Sequence, residues 1–247
     1  MSEPVTIETY ANSAIPHLQK ILKANHEVLA RLSSALLKNV KEGGKLLVFG
    51  SGHSSIFSFE LYHRAGGPSF VIPLVADFLL PSAGPPVVRV MERTAGSANF
   101  LLDRSVAQKG EMLWLCSQSG INAAVVDLAM EAKRRGLVTV AFSSRAHSES
   151  VKSRHASGKR LFEVCDELVD LGGVSGDAAV PVSPNVAAGP LSSLGAIFLG
   201  HSLLVDACAK LEQAGVGCVY TSVNTPDGEA RNLSLEAEAK KRDWRLL

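Results

Sequence analysis

Two short stretches of the chain carry the residue types that hold anions. The first, Gly50-Ser51-Gly52-His53-Ser54-Ser55, follows the apolar run Leu46-Leu47-Val48-Phe49 and leads into IFSFELYHRAGG. The second, Ser117-Gln118-Ser119-Gly120-Ile121-Asn122, follows EMLWLC at residues 111–116. Each reads as a buried strand, a tight turn and the start of a helix. Glycine lets the backbone turn sharply and approach a ligand closely. A helix N-terminus adds free N–H groups and the positive end of a dipole, and serine hydroxyls supply further donors. Both stretches are therefore candidate anion cradles, and phosphate is the expected anion. The candidate contacts are Gly50, Ser51, Gly52, His53 and Ser54 in the first turn, and Ser117, Gln118, Ser119, Gly120 and Asn122 in the second. In an open parallel sheet the C-terminal strand ends share one edge, and ligands bind there near the switch in strand order. The two turns are thus expected to face one crevice.

Two other phosphate motifs fit less well. A Walker A loop needs Gly-Lys-Ser/Thr, which does not follow the first turn. A dinucleotide fingerprint needs a third glycine where Ser55 stands, although Asp77 follows the second strand where an acid can reach a ribose. That reading leaves the second turn unexplained.

Groups able to move protons lie close by in sequence. Glu60, His63 and Arg64 fall within about one turn of the helix that leaves the first cradle. Glu60 and Arg64, at i and i+4, fit a plain helix ion pair equally well. His53 and His155 sit in polar loops, and His201 lies among apolar helical residues, where packing is the expected role. Arg154, Lys159 and Arg160 either face solvent or turn one cation toward an anionic substrate. The four cysteines, Cys116, Cys165, Cys208 and Cys218, form neither a CxxC pair nor zinc-finger spacing. They read as buried free thiols in a reducing compartment, with no metal expected.

These residues need a scaffold. Apolar positions at helical spacing, Leu18, Leu22, Leu29, Leu32, Leu36 and Val40 among them, predict one long helix or two abutting ones over residues 6–41, ended by Gly43-Gly44. Strands are expected at 45–49, 70–75, 111–116, 137–142 and 167–171, with a short one at 219–223. Helices are expected at 54–64, 95–107, from Asn122 as N-cap to Gly136, at 191–213, and as a charged surface helix at 235–244. Residues 79–86, 143–160, 172–190 and 224–232 read as loops. Strands alternating with helices imply parallel pairing through right-handed crossovers. The 247 residues, 46% of them hydrophobic, suit one domain: an N-terminal helical extension at 1–44, an αβα core at 45–215 and a tail at 216–247. The net charge of +1 gives no global field for nucleic acid or an anionic membrane. The N-terminus lacks the basic and apolar regions of a signal peptide, and no uninterrupted apolar run reaches bilayer length. A soluble cytoplasmic protein is expected, without nucleic-acid or membrane partners.

With the motifs in view, FGSGHSS and the later LCSQSGIN resemble the sugar isomerase (SIS) domain family, whose members bind phosphosugars. FELYHRAGG, the SRHASGKRL stretch at 153–161, GVSGDA and SVNTPDGEARN are similar to one subgroup, to which phosphoheptose isomerase activity is sometimes attributed. The resemblance spans about residues 5–235. It implies a flavodoxin-like three-layer αβα sandwich with an open five-stranded parallel sheet, and homodimers or homotetramers with sites near subunit interfaces. It places phosphate contacts on Ser51, Ser117, Ser119 and Asn122, the last where threonine is more usual in the family. Ile121 stands where subgroup members often carry arginine. The His…Glu zinc pair of phosphoheptose isomerases falls on Glu60 and Arg64, so neither that metal nor any other cofactor is implied. Three functions stay open, because this fold hosts all of them: an aldose–ketose sugar-phosphate isomerase using Glu60 or His155 for proton transfer, a non-catalytic phosphosugar sensor, and an amino-sugar phosphate lyase or etherase.

Overall fold

In the computed structural model, residues 4–244 are described. The near-continuous apolar runs become the strands β1 (Leu46–Gly50), β2 (Val71–Leu74), β3 (Met112–Cys116), β4 (Val138–Ser143) and β5 (Glu167–Asp170). Strands buried on both faces need such runs, and parallel sheets covered by helices on each side supply that setting. All five pair in parallel in the order β2-β1-β3-β4-β5, the expected flavodoxin-like order. The strand order reverses between β1 and β3. Gly50 pairs there with Cys116, so the two cradle turns leave the sheet side by side.

Helix α1 (Ile7–Lys41) is long, as its spacing predicts, and buries Ile21, Leu29, Leu32, Leu36 and Val40. It packs on β5 and on α8 (Ser192–Gln213), which also meets the short α2 (Ser55–Glu60). The buried Asn25 stitches α1 to the sheet edge, donating to Asp170 O at 2.9 Å and accepting from Asp170 N at 2.8 Å. A second helical group joins α3 (Pro85–Arg93), α5 (Ala123–Arg134) and α7 (Leu161–Val164). Between the layers, Phe57, Trp114 and Phe142 form a ring cluster with centroids 4.8 to 6.5 Å apart. At the opposite end of β1 and β3 from the cradles, Lys45 and Glu111 form a 3.1 Å ion pair, with side chains only 2% and 4% exposed. Lys45 Nζ also donates to Val106 O, and Glu111 also accepts the N–H groups of Lys45 and Gln108. Buried charges are tolerated when paired and hydrogen-bonded in this way.

Several elements depart from expectation. The helix after the first cradle opens with a 3₁₀ turn at Gly52–Ser54 and ends at Glu60, because the chain turns at His63, whose φ is 40°. The 79–86 loop contains 3₁₀ turns and the start of α3, with Pro85 and Pro86 in the first turn, where a missing N–H costs nothing. The 95–107 helix contracts to α4 (Phe100–Arg104). The 143–160 loop includes α6 (Arg145–Glu149). The Gly/Pro/Ser-rich 172–190 stretch folds into an antiparallel hairpin of β6 (Ala178–Ser183) and β7 (Val186–Pro190). Residues 219–223 make a single bridge, Pro68 to Val219, rather than a strand. The last helix, α9 (Gly228–Lys241), starts earlier than expected and lies partly in the core through Leu235 and Ala239. Contrary to the bilayer-length expectation, α8 is long and apolar enough by composition to cross a membrane. Here half of its most apolar window is buried inside the fold.

Candidate functional site

The C-terminal ends of β1 and β3 position the site. Gly52 has φ +54°, and a Cβ there would lie 3.1 Å from Glu92 Oε1. Glycine thus both permits the turn and lets a carboxylate close on it. The second turn braces itself: Ser117 Oγ accepts the Gly120 N–H at 3.1 Å, and Gly120 has φ +58°. Asn122 occupies the N-cap position of α5 with extended backbone, but its side chain does not cap the helix. Its Nδ2 donates to Glu92 Oε2 at 3.2 Å, and its Oδ1 accepts from Arg154 Nη1 at 3.0 Å. Ser51 Oγ donates to Glu92 Oε1 at 2.7 Å. The Glu92 carboxylate, near the end of α3, therefore clasps both cradles, one oxygen to each.

A cavity of about 490 Å³ opens at this point. Ser51, Gly52, His53 and Ser54 line it from the first cradle, and Ser117, Gln118, Ser119 and Asn122 from the second. Gly50 and Gly120 shape the turns beneath and are buried. The wall is completed by residues that sequence patterns did not single out: Arg89 and Glu92 of α3, His147 of α6, and Asp177 before the hairpin. The Pro85-Pro86 pair preceding Val87, Val88, Val90 and Met91 is the one signal that could have announced α3, and with it Glu92. Asp177 is spent on structure. Its Oδ1 accepts the N–H groups of Leu191 and Ser192 at the start of α8, and its Oδ2 takes the Ser192 hydroxyl.

The two residues expected to move protons lie outside the cavity lining. Glu60 is paired with Arg64, the plain helix alternative, and stands 3.5 Å from His201 Nε2. The shortening of α2 leaves it on the helix's last residue, facing α8. His155 donates or accepts at both ring nitrogens within its own surroundings: Nε2 lies 2.8 Å from Asp127 Oδ1 and Nδ1 2.7 Å from Ser157 Oγ. Asp127 Oδ2 accepts the Gly96 N–H, so this pair clamps the 153–160 loop and the end of the α3 segment to α5. Of the three basic loop residues, Arg154 reaches the site through Asn122, whereas Arg160 donates to Ser148 O and Val151 O. His63 pairs with Glu236 at 3.3 Å.

The electrostatic surroundings are quiet at the thiols. Burial pushes the Cys116 thiol up to about 12, and it does the same to Cys165. The Cys218 neighbour and burial raise Cys208. All four cysteines stand as free thiols, and the three raised ones are too poorly ionised for nucleophilic work. Burial lowers the pKa of His17 and of His201, with Lys20 adding to the first and Arg64 to the second.

The SIS domain model matches residues 9–144. The chain belongs to the SIS-domain family. The match ends just after β4, so it takes in both cradles and Glu92 of this SIS domain. A UPF0309 protein of Shouchella clausii is 34% identical over 229 residues, covering 92% of this chain and 93% of its own length. Another, from Thermoanaerobacter pseudethanolicus, is 32% identical over 241 residues, covering 94% and 97%. Among solved structures, a phosphoheptose isomerase from Francisella tularensis superposes with a TM-score of 0.52 at 15% identity, covering 85% of this SIS domain protein and 100% of that chain. An Escherichia coli CFT073 protein in complex with arabinose 5-phosphate gives 0.52 at 15% identity, covering 84% and 89%. At such identities these structures share the fold.

Proposed function

We propose that this SIS domain binds a sugar phosphate between its two cradles and interconverts its aldose and ketose forms. The observation that carries the reading is the convergence of two hydroxyl-rich turns on one cavity with a carboxylate between them. Ser51, Ser117, Ser119, Asn122 and the turn N–H groups hold the phosphate, and the sugar extends toward Arg89 and Glu92. The cavity volume lies within the range of about 300–1,000 Å³ usual for small-molecule sites. That a protein of the same fold is seen with arabinose 5-phosphate supports the phosphosugar class. Aldose–ketose isomerisation moves one carbon-bound proton between C1 and C2 and changes no overall redox state, so a positioned base is its chief requirement. The working form is a cytoplasmic homo-oligomer.

The test is NMR in deuterated water with fructose 6-phosphate, arabinose 5-phosphate and sedoheptulose 7-phosphate, alongside calorimetry and the unphosphorylated sugars. At least one phosphate ester is expected to bind and to take up deuterium at C1 or C2, while the free sugars do neither. Binding without exchange assigns the sensor role instead. Absence of binding by all three esters removes the phosphosugar reading.

A further inference from the structure

We propose that Glu92 is the base that transfers the proton between C1 and C2, and that the substrate's own phosphate uncovers it. The inference rests on the isomerase reading above and deepens it.

Two carboxylates line the cavity among the described residues, Asp177 and Glu92. Both oxygens of Asp177 are held by the start of α8 through backbone and hydroxyl donors, so moving it would strip a helix terminus of its partners. Glu92 is held differently. Its two partners are Ser51 Oγ at 2.7 Å and Asn122 Nδ2 at 3.2 Å, each a cradle donor. An arriving phosphate competes for these two groups. It carries more charge than the carboxylate and meets additional donors from Ser117, Ser119 and the turn N–H groups. Like charges placed together repel, so a phosphate seated in the cradles expels Glu92 from its resting bonds. The side chain is half-buried near the C-terminal end of α3 and has three rotatable torsions, so it can turn toward the sugar carbons without moving the helix. Arg154 keeps Asn122 oriented throughout, because it donates to the amide oxygen and leaves Nδ2 directed into the site. An unliganded enzyme therefore keeps its base masked, and the mask consists of the groups that recognise the substrate.

The step balances without a co-reactant. Glu92 takes the C2 proton of the aldose; the C2–H bond breaks, a carboxyl O–H bond forms, and the electron pair becomes the C1=C2 bond of an enediolate. The O2 proton passes to O1 through cavity water, leaving the ketone at C2. The same carboxyl group returns its proton to C1, and Glu92 ends as it began.

The decisive comparison is Glu92→Gln and Glu92→Asp against the parent enzyme, with deuterium exchange and calorimetry read on the same ester. Glu92→Gln is expected to slow exchange by at least about 100-fold, the lower end for loss of a positioned acid–base group. It should bind the ester and inorganic phosphate as tightly as the parent or more tightly, since a competing negative charge is gone. Glu92→Asp, which keeps a carboxylate one methylene shorter, should recover part of the exchange. Melting curves identify a variant that fails to fold, and the aspartate then carries the test through its exchange-to-affinity ratio. Exchange that survives Glu92→Gln within about threefold overturns the role. So does a loss of ester affinity greater than tenfold in a folded Glu92→Gln, which makes Glu92 a structural brace. Parent enzyme that binds the ester without exchange overturns it as well. Parent enzyme that binds no ester is a failure of the underlying phosphosugar reading, visible before any variant is made.

Discussion

The two cradles are built from the same sequence plan and are held in different ways. The second opens directly into the twelve-residue α5 and closes on itself, Ser117 accepting an N–H from its own turn. The first passes through a 3₁₀ turn into a six-residue helix, and its serine is tied to Glu92 on a separate element. One cradle is pre-organised by its own backbone; the other depends on where α3 lies. Pre-organised donors lose less conformational freedom when they meet a ligand. The second cradle is therefore the main phosphate grip, and the first is the part that communicates phosphate arrival to the rest of the site.

The sharpest test of that division is to remove hydroxyls from each cradle. Hydrogen bonds to a charged group contribute about 1.5–3 kcal/mol, and each 1.4 kcal/mol is about tenfold in affinity. Ser117→Ala with Ser119→Ala is expected to weaken binding of the tightest sugar phosphate by about 100-fold or more. Ser51→Ala removes a donor that was already serving Glu92, so its loss should stay below about tenfold. Calorimetry on the three proteins decides it. Equal losses from both cradles break the asymmetry, and an unchanged double variant places the grip elsewhere.

The sequence made the second cradle easier to read than the surroundings of the first. Periodicity exposed the five strands and α1 because both are long-range regular patterns of apolar residues with few competing interpretations. The cradles were legible because glycine and serine at a strand end have few other uses. Glu92 was not legible. It lies on a nine-residue helix begun by two prolines, in a stretch whose Pro, Ser and Gly content suggested a loop, and its partners are 30 and 41 residues away in sequence. Glu60 looked catalytic only while α2 was taken as long; the turn at His63 ends the helix and leaves Glu60 to Arg64 and His201. The 178–190 hairpin escaped for a related reason, since small residues and prolines hide alternation.

Backbone strain offers a second probe of the same difference. Gly52 and Gly120 both have positive φ, where a Cβ costs roughly 1–2 kcal/mol. At Gly52 the nearest atom to an added Cβ is Glu92 Oε1 at 3.1 Å, the far end of a flexible side chain. At Gly120 it meets Leu161 Cβ at 2.9 Å and Ser143 Oγ at 3.0 Å, both buried. Gly120→Ala should therefore lower the melting temperature more than Gly52→Ala, each kcal/mol lowering it by about 2–4 °C in a domain of this size. Gly52→Ala should instead disturb Glu92, raising its effect on exchange above its effect on stability. Equal melting shifts with no exchange defect at Gly52 would count against an externally braced first cradle.

The smallest expected effect distinguishes the regions behind the cradles by pH. His17 lies behind the second, near Gly172 and Gly173, where the Gln118 side chain also bonds. His201 lies behind the first, facing Glu60. Burial lowers the pKa of both below the ordinary 6.5. At His201 the nearby Glu60 would favour the charged form, but that carboxylate is committed to Arg64, whose own charge opposes protonation. With the folded-state pKa depressed, the unfolded chain takes up the proton first as pH falls. The stability that each neutral ring supports is therefore full above about 6.5 and is lost as pH falls through the folded value. The carboxylates with depressed pKa, Asp206 and Glu212 among them, lose their contribution at lower pH, so the window from about pH 7.5 to 5.5 isolates the histidines. Melting temperature should fall across that window, and His17→Gln and His201→Gln should each flatten the fall. Hydrogen exchange can then assign the effect: His17→Gln should remove acid-induced opening at the β3–α5 turn, and His201→Gln that at α2. A parent melting curve with no slope across that window, or variants that leave the slope intact, would mean that neither ring is held neutral by its surroundings.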